Sequence, residues 1–283
     1  MIRQRLDFAK HLALEAGSLT LQGFGKCDQM PKDTAGRYYD IATEYDFRAE
    51  ELIRGRILDE FGEPILGEED GLIGDRETAR SRLWIVDPID GTFNYQRGLP
   101  LYAVSIAYCE NGVPVCGAVY LPALDELFSA AKGSGAFLDR GGLSSPTPIR
   151  VSHEREPARL VISLAGSETY RLAAACAGLG IPWRSLRFLM CAVASIVYVA
   201  AGRMDAFTDT SLNLWDCAAG DTILQEAGGP AVVDYRGKPI FPEYVNRSMD
   251  LDHAGGIPLT AASSPELLED PLRRLISAAG LQV

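Results

Sequence analysis

The chain has 283 residues, enough for one large domain or two fused halves. With 47% hydrophobic and 23% charged residues it has the composition of an ordinary folded enzyme, and its longest apolar run, about 15 residues, is short of the roughly 20 that span a bilayer. A formal net charge of −11 argues against a nucleic-acid groove, which needs clustered Lys and Arg, but leaves a phosphate-bearing substrate open because bound cations can reverse a local field.

The opening "MIRQRLDFAKHLALEAG" carries acids and spaces Leu6, Ala9, Ala13 and Ala16 along one face, so it reads as an amphipathic helix over about 2–22, not a secretion signal. A polar, turn-rich stretch from Lys26 to about Asp40 comes next and is expected to be a loop. "TEYDFRAEELIRGRILDEFG" is a second helix, opened by Thr43 and Asp46 in capping-box spacing and closed by Gly62. "PILGEED" and "RLWIV" are short strands running into acids. Asn111-Gly112 between alternating apolar runs marks a hairpin, and a third strand over 126–130 would complete a meander.

From about residue 150 strands alternate with helices. "RLVISLA" and "GRMDAFTD" are strands; "ETYRLAAACAGLG", 188–201 and "LWDCAAGDTILQEAGG" are helices, the last closed by Gly228 and Gly229. "RSMDLDHAGGIPLTAASSPELLED" reads as a late loop, a strand and a closing helix. The expected fold is α/β (α+β), a layered αβαβα sandwich of two sheets with helices between and outside, because each sheet has faces to cover. Residues 1–149 form an N-terminal half and 150–283 a C-terminal half.

The six cysteines, Cys27, Cys109, Cys116, Cys176, Cys191 and Cys217, contain no C-x-x-C pair, and His11, His153 and His253 do not group with them, so a zinc site lacks support. Scattered thiols in apolar surroundings fit a reduced cytoplasmic protein.

Three distant places instead put carboxylates at element ends: Glu68 and Glu69 in "GEED", Asp87 and Asp90 in "WIVDPIDGTFNY", and Asp216 in "LWDCAAG". Each alone is a turn or a helix-start acid. Converging without Lys or His partners they would repel, and hard divalent cations relieve that cost, all-oxygen sets favouring Mg²⁺ over zinc.

In order and spacing over nearly the whole chain, these three segments resemble the signature of the inositol monophosphatase family of Mg²⁺-dependent phosphatases. The resemblance implies that Glu68, Asp87, the Ile89 carbonyl, Asp90 and Asp216 hold two or three Mg²⁺ ions, Asp87 bridging two of them. Pro88 would fix the bend that turns these groups to one point. Gly91 and Thr92 would open a short helix whose backbone N–H groups hold phosphate oxygens. The Thr92 hydroxyl, with Glu68 and Asp46, would orient and deprotonate the attacking water, which adds to phosphorus in line with the leaving alkoxide. Asp46 also serves as a plain helix cap.

After D-G-T, "FNYQRGLPLYAVSIAY" is similar to the inositol-type members and unlike the bisphosphate nucleotidases. By the same resemblance Arg187 and Asp209 line the polyol pocket, with Gly166 and Ser167 at a substrate-side turn; a carboxylate suits vicinal hydroxyls because it accepts two hydrogen bonds. Met190 and Cys191 depart from the small pair, Gly-Ser or Gly-Thr, that the family often has there, and the bulky Met190 is expected to reshape the pocket. No lysine falls clearly on the position that family members use near the metals; Lys32 and Arg37 are the candidates.

The implied reaction is Mg²⁺-dependent hydrolysis of a small phosphorylated metabolite, inositol 1-phosphate first. Histidinol phosphate and fructose 1,6-bisphosphate are alternatives on the same fold, and a metal-binding regulatory protein without turnover is the alternative of another class. A homodimer is expected, with no nucleic-acid or membrane partner.

Overall fold

The computed structural model describes residues 2–28, 30–31, 41–141, 146–180, 183–251 and 256–281; Lys32 and Arg37 lie outside them. Among these residues the two principal sheets have eight and five strands. The larger takes its strands from residues 65–148 and the smaller from 161–262. Helices lie in three layers, two outside and one between.

The first outer layer is the pair Ile2–Thr20 and Glu44–Phe61. Thr43 caps the second of these with a full capping box, and Gly62 ends it in the left-handed conformation, as the sequence leads one to expect. Ala9, Leu12, Ala13, Ala16, Ile53 and Ile57 pack on Trp84, Val86, Val104 and Ile106 of the larger sheet. Alternate residues of the same strands, Leu83, Ile85 and Ala107, point the other way into the central layer. Both faces of this sheet are covered, which is why "RLWIV" reads as a continuous apolar run.

The central layer is the helix pair Ala192–Ala200 and Ala218–Glu226, packed on each other and on both sheets. The first of these is apolar all round, as a helix buried on every side must be. The last layer, Thr169–Gly178 and Arg273–Ala278, covers Ile162, Leu164, Ala206 and Ala262 of the smaller sheet.

The hairpin is present: Ala103–Glu110 and Val113–Leu121 pair antiparallel through Asn111 and Gly112, both at positive φ. Two expectations change, and one element is new. The helix expected over 188–201 starts only at Ala192, because Met190 sits at φ +54 and Cys191 is extended, and neither conformation continues a helix. A short edge strand, Ser185–Arg187, precedes it. The late loop begins instead as a helix, Glu243–Leu251, whose polar residues disguised it. Among the described residues no helix is long and apolar enough to cross a membrane.

Candidate active site

The strand Arg82–Asp90 carries the first two acids. Asp87 lies opposite Ser105, and Asp90 opposite Ala103, so the strand advances three residues where its partner advances two. In a regular strand an odd separation sends two side chains to opposite faces. The bulge at Pro88-Ile89 cancels that alternation. The fixed φ and missing N–H of Pro88 suit a position that leaves the ladder.

Asp216 arrives from the other side, on the turn leading into Ala218–Glu226; its Oδ2 accepts a hydrogen bond from the Asn213 N–H at 2.6 Å. Oxygens of Asp87, Asp90 and Asp216 all lie within 4.8 Å of one another. Glu68 leaves the strand Ile65–Gly67, which runs parallel to Arg82–Asp90 with Gly67 beside Val86, so the next residue along emerges next to Asp87. Its charge is felt by all three aspartates.

Among the described residues no Lys or Arg forms an ion pair with the three aspartates. Burial, then the charges of Glu68, Asp90 and Asp216, drive the Asp87 carboxyl well above the usual carboxylate range. Burial, then Asp90 and Glu68, do the same to Asp216. Asp90 is pushed up to about 6 by burial, held back by hydrogen bonds from the Cys191 thiol and the Val193 N–H and raised again by Glu68. Asp87 Oδ1 accepts from the Ile89 N–H at 3.0 Å, while Oδ2 is buried with no donor; Glu68 can share a hydrogen with it only if one of the two carboxyls is protonated. A compact set of hard oxygen donors with an orphaned carboxylate oxygen fits a divalent cation of the Mg²⁺ type.

Beside the cluster, the Thr92 hydroxyl lies 3.2 Å from Asp46 Oδ1 and 3.0 Å from the Ile89 carbonyl, and can donate to either. Asp46 Oδ2 accepts from the Thr43 N–H at 2.7 Å and its hydroxyl at 2.6 Å. Both functions expected of Asp46, helix cap and neighbour of the site threonine, therefore coexist geometrically. Gly91, at φ +85, stands before the short helix Thr92–Gln96.

Asp209, buried at the middle of the strand Ala206–Leu212 where its pairing shifts register, accepts from the Ser211 N–H at 2.8 Å. Burial lifts it to about 6, the Ser211 N–H lowers it and Asp90 raises it, which puts it within electrostatic reach of the cluster. Gly166 lies directly against the Asp209 carboxylate, and Ser167 is exposed beside it. Arg187 is not drawn into this group: its guanidinium donates to Ser185 and to the Leu186 carbonyl of its own edge strand, and it is exposed.

Asn94 and Glu50 were not singled out from the sequence, and Cys191 was noted only as a departure from the family's small pair. Cys191 donates to Asp90 Oδ2 at 2.8 Å, and the Val193 N–H reaches the same oxygen at 2.7 Å. The Asn94 amide ties the Leu101 carbonyl at 2.7 Å to the Leu189 carbonyl at 2.8 Å, fixing the Met190 turn over Gly91. Glu50 is buried beneath the "GEED" turn. Its only sequence signal was a place one helical turn after Asp46.

A layered αβαβα sandwich with buried carboxylates at converging element ends defines a hard-cation site of the kind used on phosphate esters. A sequence model of the inositol monophosphatase family matches residues 1–265, and the chain belongs to that family, whose members are metal-dependent phosphatases. It is 38% identical over 236 residues to a fructose-1,6-bisphosphatase/inositol-1-monophosphatase of Thermotoga maritima, covering 83% of this chain and 86% of that one. It is 35% identical over 247 residues to a histidinol-phosphatase of Chlorobaculum parvum, covering 82% and 86%. The solved structure of a Thermotoga maritima IMPase superposes with a TM-score of 0.82 at 33% identity, over 98% of both chains. These relatives are named for different phosphate esters.

Proposed function

We propose that the chain is a Mg²⁺-dependent phosphomonoesterase acting on a small polyol phosphate, inositol 1-phosphate before histidinol phosphate or fructose 1,6-bisphosphate. The observation that carries this reading is the meeting of Asp87, Asp90 and Asp216 within 4.8 Å, buried and without a cationic partner among the described residues. In this reading Glu68, Asp87, the Ile89 carbonyl, Asp90 and Asp216 hold two or three ions. Bound Mg²⁺ supplies the positive charge that offsets the cluster, activates water and stabilises the leaving oxygen.

The chain's own groups do the rest. Thr92, its hydroxyl hydrogen engaged by Asp46 Oδ1, turns an oxygen lone pair toward the site and can accept a hydrogen bond from the attacking water. Glu68 is the nearby carboxylate that accepts the proton. The amides of Gly91 and Thr92 receive phosphate oxygens. Asp209, held by Ser211 and packed against Gly166, accepts hydrogen bonds from adjacent hydroxyls of the alcohol. Ser167 lies at the rim of that pocket, and Arg187 would serve it only after releasing its own strand. The same reading gives a cytoplasmic homodimer.

The test is phosphate release from inositol 1-phosphate, β-glycerophosphate, histidinol phosphate, fructose 1,6-bisphosphate and 3′,5′-bisphosphoadenosine, each with Mg²⁺ and with EDTA. Mg²⁺-dependent turnover abolished in Asp90→Asn, fastest on a polyol phosphate, is the expected result. A folded wild-type protein inert on every ester would remove the proposal in favour of a metal-binding protein without turnover.

A further inference from the structure

The helix Glu44–Phe61 presents a second buried carboxylate, Glu50, one turn after Asp46. Its Oε2 accepts from the Glu69 N–H at 3.0 Å and its Oε1 from the Asp70 N–H at 2.8 Å. These are the two residues immediately after Glu68. A carboxylate taking two backbone N–H bonds in a buried setting is a strong and directional clamp. The clamp is packed from the other side as well. A Cβ added at Gly67 would collide with both Glu50 oxygens, so the carboxylate occupies the space a side chain would take at the residue preceding Glu68.

Glu68 is thus bracketed by residues held on one anchor: Gly67 before it, Glu69 and Asp70 after it. We infer that Glu50 is a positioning residue, which sets where the Glu68 carboxylate meets Asp87 and so sets the affinity of the site for Mg²⁺. The inference rests on the phosphatase reading for the role of Glu68, and on the geometry above for that of Glu50. One helix face then serves two groups, Thr92 through Asp46 and Glu68 through Glu50. A shift of that helix would disturb both together.

Glutamine at position 50 can accept from only one of the two N–H groups and turns its own amide toward the other. Outer groups that orient metal ligands change metal affinity by roughly 10–100-fold when lost. The experiment is a Mg²⁺ titration followed by calorimetry and by the Mg²⁺-induced rise in unfolding midpoint. It is run on wild type, Glu50→Gln, Gly67→Ala and the exposed-neighbour control Glu51→Gln.

Expected are equal half-saturation for wild type and Glu51→Gln, and a rise of roughly 10–100-fold for Glu50→Gln and Gly67→Ala, with kcat largely restored at saturating Mg²⁺. In a Glu50→Ala background, Gly67→Ala should add less than about twofold, because the colliding group is gone. An unchanged Mg²⁺ requirement in both Glu50→Gln and Gly67→Ala overturns the inference. So does a drop in the Mg²⁺-free midpoint with no change in Mg²⁺ affinity, which is the mark of a merely structural role. A wild type whose midpoint ignores Mg²⁺ removes the phosphatase reading, and the inference with it.

Discussion

Thr92 and Asp46 are 46 residues apart in the chain, yet the Thr92 hydroxyl sits 3.2 Å from Asp46 Oδ1, while the other oxygen of that carboxylate caps the helix on which it rides. One carboxylate thereby fixes a local helix start and a long-range contact on which the proposed mechanism relies. Thr92→Val should lower kcat by about 10²–10⁴, leave KM within a few-fold and leave stability nearly unchanged, and Thr92→Ser should recover most of the rate. Asp46→Ala should instead lower both, with about 0.5–2 kcal/mol lost from the cap. Steady-state kinetics beside urea unfolding separate the two; equal stability losses in Thr92→Val and Asp46→Ala would refute the division.

Asp87 carries a buried oxygen without a donor among like charges, so its ionisation is unfavourable until a cation arrives. In EDTA, Asp87→Asn should unfold a few degrees above wild type, since its amide can donate to the neighbouring carboxylates. With saturating Mg²⁺ the order should reverse, because only the wild type gains binding energy, about 2.7 kcal/mol at a hundredfold excess over Kd. Differential scanning fluorimetry with and without Mg²⁺ reads both signs.

In the proposed function Asp209 serves the hydroxyls of the alcohol and not the phosphate. Asp209→Ala should raise KM for inositol 1-phosphate by about 10-fold or more while sparing p-nitrophenyl phosphate, which has no hydroxyls to lose. Equal damage on both esters would move Asp209 from specificity to general support of the cluster.

Asp221 lies away from the cluster, buried, accepting from the Val232 N–H at 2.7 Å and from the Gln225 amide at 2.8 Å. Burial raises it from 3.8 to about 6, against the pull of those two donors. The native state thus keeps this proton after the unfolded chain has lost it. Its contribution to stability is complete below about pH 4, falls as pH rises to about 6, and stays lost above. Asp221→Asn should not titrate there, so its stability relative to wild type should climb across that window, by on the order of 3 kcal/mol at most. Urea unfolding at pH 4, 5, 6 and 7 gives the curve; a flat difference would contradict it.

Met190 holds φ +54 while half exposed, a conformation that costs most side chains about 1–2 kcal/mol. Met190→Gly should stabilise the fold, by less than that figure because glycine gains more freedom on unfolding. Met190→Ala should not stabilise it, since alanine keeps the strain; chemical denaturation of both variants decides.

The layering and the main elements were legible in the sequence because apolar periodicity, Thr43 with Asp46, Gly62 and Asn111-Gly112 are local signals. The acids were legible as segments, and the resemblance joined them. The illegible part depended on side chains meeting across the chain. Cys191 shows in the sequence as a buried thiol and a departure from the family's small pair, but its hydrogen bond to Asp90, 2.8 Å away, does not. The delayed start of the helix at Ala192 escaped because 188–191 are as apolar as the helix itself, and only the backbone at Met190 marks the break. Arg187 was placed by the resemblance alone, and the acceptors its guanidinium finds on its own edge strand depend on a backbone that the sequence does not display.

The bulge between Asp87 and Asp90 makes this site depend on a count of residues as much as on their kind. The count that matters is a difference between two strands, so it can be undone from either. One extra residue in the partner strand, beside Val104, would give the bulge a mate and let the ladder run regularly. Asp87 and Asp90, three residues apart, would then face opposite sides of the sheet. Every acid would still be present, and the layers could still form, but the cluster would be gone. Within this fold, one codon inserted in a neighbouring strand separates a metal-holding chain from an inert relative without touching a carboxylate, and it would leave the signature residues in place to mislead a reader of the sequence.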